Sequence, residues 1–252
     1  MLHTIVHGVP TAQPPLIIAH GLYGSARNWG VIAKRLSDTR QVVAVDMRNH
    51  GASPWTDSHT YPDMAQDLAE VVGRFGGQAD VLGHSMGGKA AMVLALVTGA
   101  NIRRLIVADI APVAYTHSQL PFIDAMRRVD LSRVSRRSEA EQMLAELGVD
   151  KALQSFFTQS LDVKSQRWML NLDVLARDMP RIMGFPDVEG THGSATLFLT
   201  GGASDYVTAD HRAPIKALFP AARFAKIPQA GHWLHAERPR EFEATVRAFL
   251  DA

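Results

Sequence analysis

The stretch Gly83-His84-Ser85-Met86-Gly87-Gly88 stands directly after the apolar run Ala79 to Gly83 and directly before an alanine-rich helical stretch, Met86 to Val97. Small residues on either side of one serine, between a strand and a helix, describe a sharp turn that holds a hydroxyl out at the end of the strand. Such a turn is strained, and side chains at 83 or 87 would clash across it. In this setting G-x-S-x-G reads as a nucleophile elbow. The string alone is weak, because at average composition it arises by chance in roughly one chain in ten of this length. The strand before it and the helix after it carry the reading. Gly83 through Lys89 also matches the phosphate-binding pattern G-x-x-x-x-G-K in all but its last position. There Ala90 replaces the hydroxyl residue that holds Mg²⁺ in such loops. Nucleotide binding is therefore the weaker reading.

On both sides of this stretch, short β-branched runs alternate with helical stretches. Strands are expected at Leu16 to His20, Gln41 to Asp46, Ala79 to Gly83, Arg104 to Asp109, Ala195 to Thr200 and Arg223 to Ile227, with Leu2 to Val6 as an edge or antiparallel strand. Helices are expected at Asn28 to Leu36, Pro62 to Phe75, Met86 to Val97 and Pro239 to Leu250. Met64, Leu68, Val71, Val72 and Phe75 recur at the spacing of one helical face. This alternation describes an α/β fold, a mostly parallel sheet covered by helices on both faces. It stops after Ile110 and resumes near Ala195. Between them lie helical patterns and no convincing strand. Ser138 and Glu141 fit a capping box there, and Gly148 fits a helix stop. A structureless loop of this length is unusual in a compact domain. Residues 111–192 thus read as a helical cap inserted into a core formed by 1–110 and 193–252.

Other chemistry-bearing stretches also fall at strand ends. Gly231-His232-Trp233 follows the last strand, where a histidine can reach the sheet edge that carries Ser85. His20-Gly21-Leu22-Tyr23-Gly24 follows the strand ending at Ala19 and has the form H-G-x-x-G. Its Leu22 N–H, paired with Met86 N–H, is the expected oxyanion hole. In the loop Asp46 to Ser53, Asp46 and Arg48 are expected to fix the loop rather than touch substrate. Arg127, Arg128, Arg133, Arg136 and Arg137 crowd one part of the cap. A solvated helix face is the expected reading. The alternative is a cluster that steers a phosphate- or carboxylate-bearing substrate such as an acyl-coenzyme A.

Taken in order, His20-Gly21-Leu22-Tyr23-Gly24, Asp46-Met47-Arg48-Asn49-His50-Gly51-Ala52-Ser53, Gly83-His84-Ser85-Met86-Gly87-Gly88-Lys89, Asp109-Ile110-Ala111-Pro112 and Gly231-His232-Trp233 resemble the α/β-hydrolase superfamily. Within it the chain is most similar to the YbfF-type esterases, over essentially its whole length. The resemblance implies the α/β-hydrolase fold with a helical cap. It also implies a serine carboxylesterase or thioesterase that acts on small acyl esters or thioesters, with no metal or organic cofactor. Ser85 is the implied nucleophile and His232 the base. The residues alone leave the acid open. Counting G-x-x-D from Gly201 reaches Ser204, with Asp205 one residue later, whereas Asp109 ends the preceding strand. YbfF-type esterases resemble the second arrangement, so Asp109 is the expected acid and Asp205 the alternative, with Ser204 supporting the histidine. Serine at the elbow argues against dehalogenases and epoxide hydrolases. Carbon–carbon bond hydrolases, lyases and a noncatalytic ligand receptor on the same fold are the remaining alternatives.

Composition narrows the partners. The 252 residues are 46% hydrophobic and 20% charged, which excludes a disordered or fibrous chain. Lys+Arg 26 against Asp+Glu 25 gives no global case for nucleic acid or a membrane surface. Absence of cysteine excludes disulfides, thiolate metal sites and a cysteine nucleophile, and fits a reducing compartment. Met1-Leu2-His3-Thr4-Ile5-Val6 lacks the form of a secretory signal, and no apolar run nears the ~20 residues of a membrane helix. The expectation is a cytoplasmic enzyme with a small-molecule ester or thioester substrate; its oligomeric state is not legible.

Overall fold

The computed structural model describes residues 1–98 and 100–252. Its elements run in the order β1 (Thr4–His7), β2 (Leu16–Ala19), α1 (Gly30–Leu36), β3 (Val42–Val45), α2 (Tyr61–Arg74), β4 (Gln78–His84), α3 (Met86–Val97) and β5 (Asn101–Ala108). There follow α4 (Leu120–Arg128), α5 (Arg137–Glu146), α6 (Lys151–Thr158), β6 (Leu161–Asp162), β7 (Arg167–Trp168), α7 (Leu172–Arg177) and α8 (Met179–Met183). The chain closes with β8 (Ala195–Gly201), α9 (Arg212–Leu218), β9 (Ala222–Ile227), α10 (Leu234–Glu237) and α11 (Pro239–Asp251).

The main sheet has the order β1-β3-β2-β4-β5-β8-β9, with β1 antiparallel at one edge and every other neighbour parallel. Strand side chains alternate between its faces. Ile17, Val43, Val81, Leu105 and Phe198 enter the core shared with α2 and α3. Leu16, Ile18, Ala44, Leu82, Ile106 and Leu197 enter the core shared with α1 and α11. Burial on both faces is why these strands read as continuous apolar runs. α2 is started by the Thr60 hydroxyl, which accepts the Asp63 N–H, and by Pro62 in its first turn. It buries Met64, Leu68, Val71 and Val72, each contributing about 1.5–3 kcal/mol.

Local departures from the sequence reading have local causes. The stretch expected as a helix from Asn28 divides into a 3₁₀ turn, Ala26–Trp29, and α1. The buried Asp46 carboxylate accepts the Ala26 N–H at 2.7 Å and starts that turn early. Between β5 and β8 the chain does contain strands, the two-residue ribbon β6–β7. Asp162 folds it by accepting the Lys164 and Ser165 N–H groups. The expected pairing of Ser138 with Glu141 is not formed. α5 starts at Arg137, and Glu139 accepts the Ser135 and Arg136 N–H groups, while Glu141 accepts the Thr158 hydroxyl. Gly148 follows α5 with φ +81°, the left-handed stop that glycine favours.

Candidate active site

Ser85 joins the end of β4 to the start of α3 with φ 51° and ψ −118°, a conformation an L-residue adopts only under constraint. The constraint is steric closeness. A Cβ at Gly83 would meet the Gly87 carbonyl, and one at Gly87 would meet the Ala19 and His20 carbonyls. The turn is pinned by Ser85 N–H donating to Ala108 O at 3.0 Å. Ser85 is thereby raised at the C-terminal edge of the parallel strands, where α/β sheets place their ligands.

Loops after three other strands converge on it. His232, beyond β9, has Nε2 3.1 Å from Ser85 Oγ and Nδ1 2.8 Å from Asp109 Oδ2. A carboxylate can only accept, so Nδ1 carries the hydrogen and Nε2 is free to accept from the serine hydroxyl. Asp109 is fully buried immediately after β5, with φ 52°. It also accepts from Gly201 N–H and from the Ser204 hydroxyl, so the protein turns the carboxylate toward His232 from three sides. Asp205 lies exposed on the loop after β8. The structure therefore brings Ser85, His232, Asp109 and Ser204 together, and Asp205 stays outside that chain of hydrogen bonds. His232 is braced twice more. Its carbonyl accepts from His84 Nε2 at 2.8 Å, and the Tyr206 ring stacks on its imidazole at 3.9 Å.

Leu22 and Met86, whose N–H groups are the expected oxyanion donors, line the same space as Ser85. Met86 N–H lies in the first turn of α3, where a helix offers no acceptor. In the turn after β2, Gly24 N–H goes to Gly21 O and Tyr23 N–H to His50 Nε2. Leu22 N–H is left free among the described residues. His20 and His50 hold this turn, and both must be neutral to do so. His20 Nε2 accepts the Met47 N–H while Nδ1 donates to Gly21 O. His50 Nδ1 donates to Arg48 O while Nε2 accepts from Tyr23. Burial lowers the pKa of both below the ordinary histidine value, as their hydrogen bonds require. The loop carrying His50 is itself paired to the segment between β5 and β8, through Gly51 N–H to Met169 O and Asn171 N–H to Asn49 O.

A cavity of about 350 Å³ opens onto Ser85. Leu22, Met86, Phe122, Phe156, Phe157 and Met183 are among the apolar side chains that line it, so α3 and three helices of the segment between β5 and β8, α4, α6 and α8, contribute. None of the clustered arginines lines this cavity among the described residues. Arg127 pairs with Asp173 and Arg136 with Glu139. Asp46 and Arg48 act within their loop, Asp46 accepting from His3, Ala26 and Ala52, and Arg48 pairing with Asp67. Sequence reasoning missed His50, His84, Tyr206 and Lys89. The Asn49-His50-Gly51 motif was the one available signal for His50; the contacts of the other three arise only on folding.

A strained serine at the C-terminal ends of a mostly parallel sheet, in reach of a histidine, is the hallmark of α/β-fold hydrolytic enzymes. The chain belongs to the alpha/beta hydrolase family, whose model matches residues 16–245. It is 38% identical over 248 residues to the mouse sn-1-specific diacylglycerol lipase ABHD11, covering 94% of this chain and 81% of that protein. It is 37% identical over 245 residues to esterase YbfF of Escherichia coli K12, covering 94% and 93%. Among solved structures, a marine microorganism esterase superposes with a TM-score of 0.92 at 37% identity over 98% of both chains. No helix among the described residues is long and apolar enough to cross a membrane.

Proposed function

We propose that the protein is a serine carboxylesterase that hydrolyses small acyl esters, and thioesters by the same chemistry, through an acyl-enzyme on Ser85. The observation that carries this is the relay from Ser85 Oγ to His232 Nε2 at 3.1 Å and from His232 Nδ1 to Asp109 at 2.8 Å. Ser85 Oγ attacks the acyl carbonyl carbon while His232 Nε2 takes its proton. Asp109 holds the tautomer that leaves Nε2 unprotonated and stabilises the imidazolium that forms. The carbonyl oxygen, now an oxyanion, receives the Leu22 and Met86 N–H groups. The tetrahedral intermediate collapses by expelling the alcohol or thiol, which receives the proton from His232. Water then attacks the acyl-enzyme with His232 again as base, and Ser85 is regenerated.

The relatives described as an esterase and a diacylglycerol lipase support ester substrates. The apolar cavity wall supports an acyl group bound there with the leaving group toward solvent. Residues 111–192 serve as the cap over the site, since Phe122, Phe156, Phe157 and Met183 from that segment line the cavity. The unbroken hydrogen-bond chain Ser85–His232–Asp109 favours an enzyme over a noncatalytic receptor. Labelling with a fluorophosphonate and steady-state hydrolysis of p-nitrophenyl butyrate test the reading. Wild type is expected to be labelled and active, and Ser85→Ala neither. A folded Ser85→Ala chain with undiminished hydrolysis refutes it.

A further inference from the structure

Lys89 is a charged side chain that the acyl-transfer chemistry leaves unused. It lies four residues after Ser85, one turn into α3, so the two occupy one side of the helix start. The residue is 1% exposed, yet it borders the Ser85 cavity together with Tyr61, Tyr115 and Met183. Nζ donates to the carbonyls of Met183, at 3.0 Å, and Gly184. It stands 4.7 Å from the Tyr115 ring centroid and 5.7 Å from that of Tyr61. An ammonium has three donors, and these bonds use two. Among the described residues no carboxylate lies within ion-pair distance of it. Burial alone pulls its pKa down to about 7.

A buried cation without a counter-charge is costly, and carbonyl dipoles and ring faces offset only part of that cost. The cavity repeats the imbalance. Among the described residues that line it, Lys89 is the one lysine or arginine, and there is no aspartate or glutamate. An anionic group arriving with a ligand would balance the site and hold Lys89 in its charged form. We propose that Lys89 determines acyl specificity, its third N–H receiving a carboxylate at the far end of the acyl group, so that hemiesters of short dicarboxylic acids are preferred substrates. The inference rests on Ser85 being the nucleophile. Both side chains reach the same cavity of about 350 Å³, so the matching diacid is short.

The test compares kcat/KM for monoethyl succinate, glutarate and adipate with that for ethyl butyrate, pentanoate and hexanoate, the neutral esters of equal chain length. Wild type is expected to favour the charged ester at least tenfold at one length, and Lys89→Met to lower that charged-to-neutral ratio at least tenfold. A wild-type ratio below one at every length overturns the proposal, as does an unchanged ratio in Lys89→Met. Should Lys89→Met not fold, competitive inhibition of wild type decides the matter. Free glutarate or its neighbours should then inhibit ethyl pentanoate hydrolysis more tightly than free pentanoate, and weaker inhibition by every diacid overturns it. Persistent hydrolysis of both ester classes by Ser85→Ala would instead remove the underlying assignment of the nucleophile.

Discussion

Replacing Asp109 by asparagine tests the site at its least obvious member. Asp109 receives three hydrogen bonds, from His232 Nδ1, Gly201 N–H and the Ser204 hydroxyl. In Asp109→Asn the amide oxygen can still accept the Gly201 N–H, so the loop after β8 has a partner and the fold is expected to survive. The amide NH₂ then faces His232 and donates to Nδ1, which must be unprotonated to accept it. The hydrogen of neutral His232 moves to Nε2, which points at Ser85 Oγ and can no longer take its proton. A wrong tautomer at an otherwise intact site costs about 10⁴ in kcat. At 1.36 kcal/mol per decade that is about 5 kcal/mol of lost transition-state stabilisation. Asp205 is exposed and, among the described residues, forms no hydrogen bond or ion pair with the imidazole, so Asp205→Asn should stay within about threefold of wild type, near the ±0.5 kcal/mol of an ordinary surface change. The assay is kcat/KM on p-nitrophenyl butyrate for both variants, with circular dichroism and Tm as checks on folding. A folded Asp109→Asn within tenfold of wild type, or equal losses in the two variants, would show that Asp109 does not set the His232 tautomer.

Ser85→Ala should lower kcat by on the order of 10⁴–10⁶ with Tm little changed, read on the same ester. His50→Ala strands the buried Tyr23 N–H and loosens the turn that presents Leu22 N–H; the expected results are a stability loss of about 1–3 kcal/mol and a kcat that falls more than KM rises. Unchanged kcat in that variant would show that the turn holds itself. Gly87→Ala drives a methyl into the Ala19 and His20 carbonyls, so soluble expression or urea midpoint should drop sharply, and a wild-type midpoint would contradict the steric account. Stability should also fall in acid. Burial holds His59 and His235 at a pKa of about 3, and lowers His20, His50 and His84 in the same sense. These groups stay neutral when folded but bind protons when unfolded below about pH 6.5, so stability is complete above that pH and declines as pH falls toward the folded values. At pH 4.5 His59 and His235 together account for a loss of about 5 kcal/mol, measurable by urea unfolding at pH 7.5 and 4.5. Equal stability at the two pH values would mean that these imidazoles are not buried neutral.

The elements legible in the chain were those whose cause is local. α2 carries its apolar face at helical spacing, starts at a capping threonine and was placed to within a residue. α3 follows directly from the elbow and its alanines. Less legible were elements set by partners distant in sequence. The 3₁₀ turn at Ala26 depends on Asp46, and the two-residue ribbon β6–β7 is too short to show a period of two. At α5 two overlapping cap patterns compete within a few residues, and the extended backbone at Arg136 selects Glu139.

The site divides along the same line. The chain alone was enough for the setting of Ser85, because strand, glycine-flanked serine and helix are contiguous and the strain of the turn is a local matter. It also placed His232 and the Leu22 and Met86 amides at strand ends that a parallel sheet must bring to one edge. Asp109 and Asp205 are told apart only on folding: Asp109 leaves a buried position of positive φ after β5 and accepts from His232, whereas Asp205 lies exposed on the loop after β8. Folding, likewise, buries Lys89 with no carboxylate partner among the described residues. A pKa or a charge imbalance belongs to the space around a group, and that space is built from residues that lie far apart along the chain.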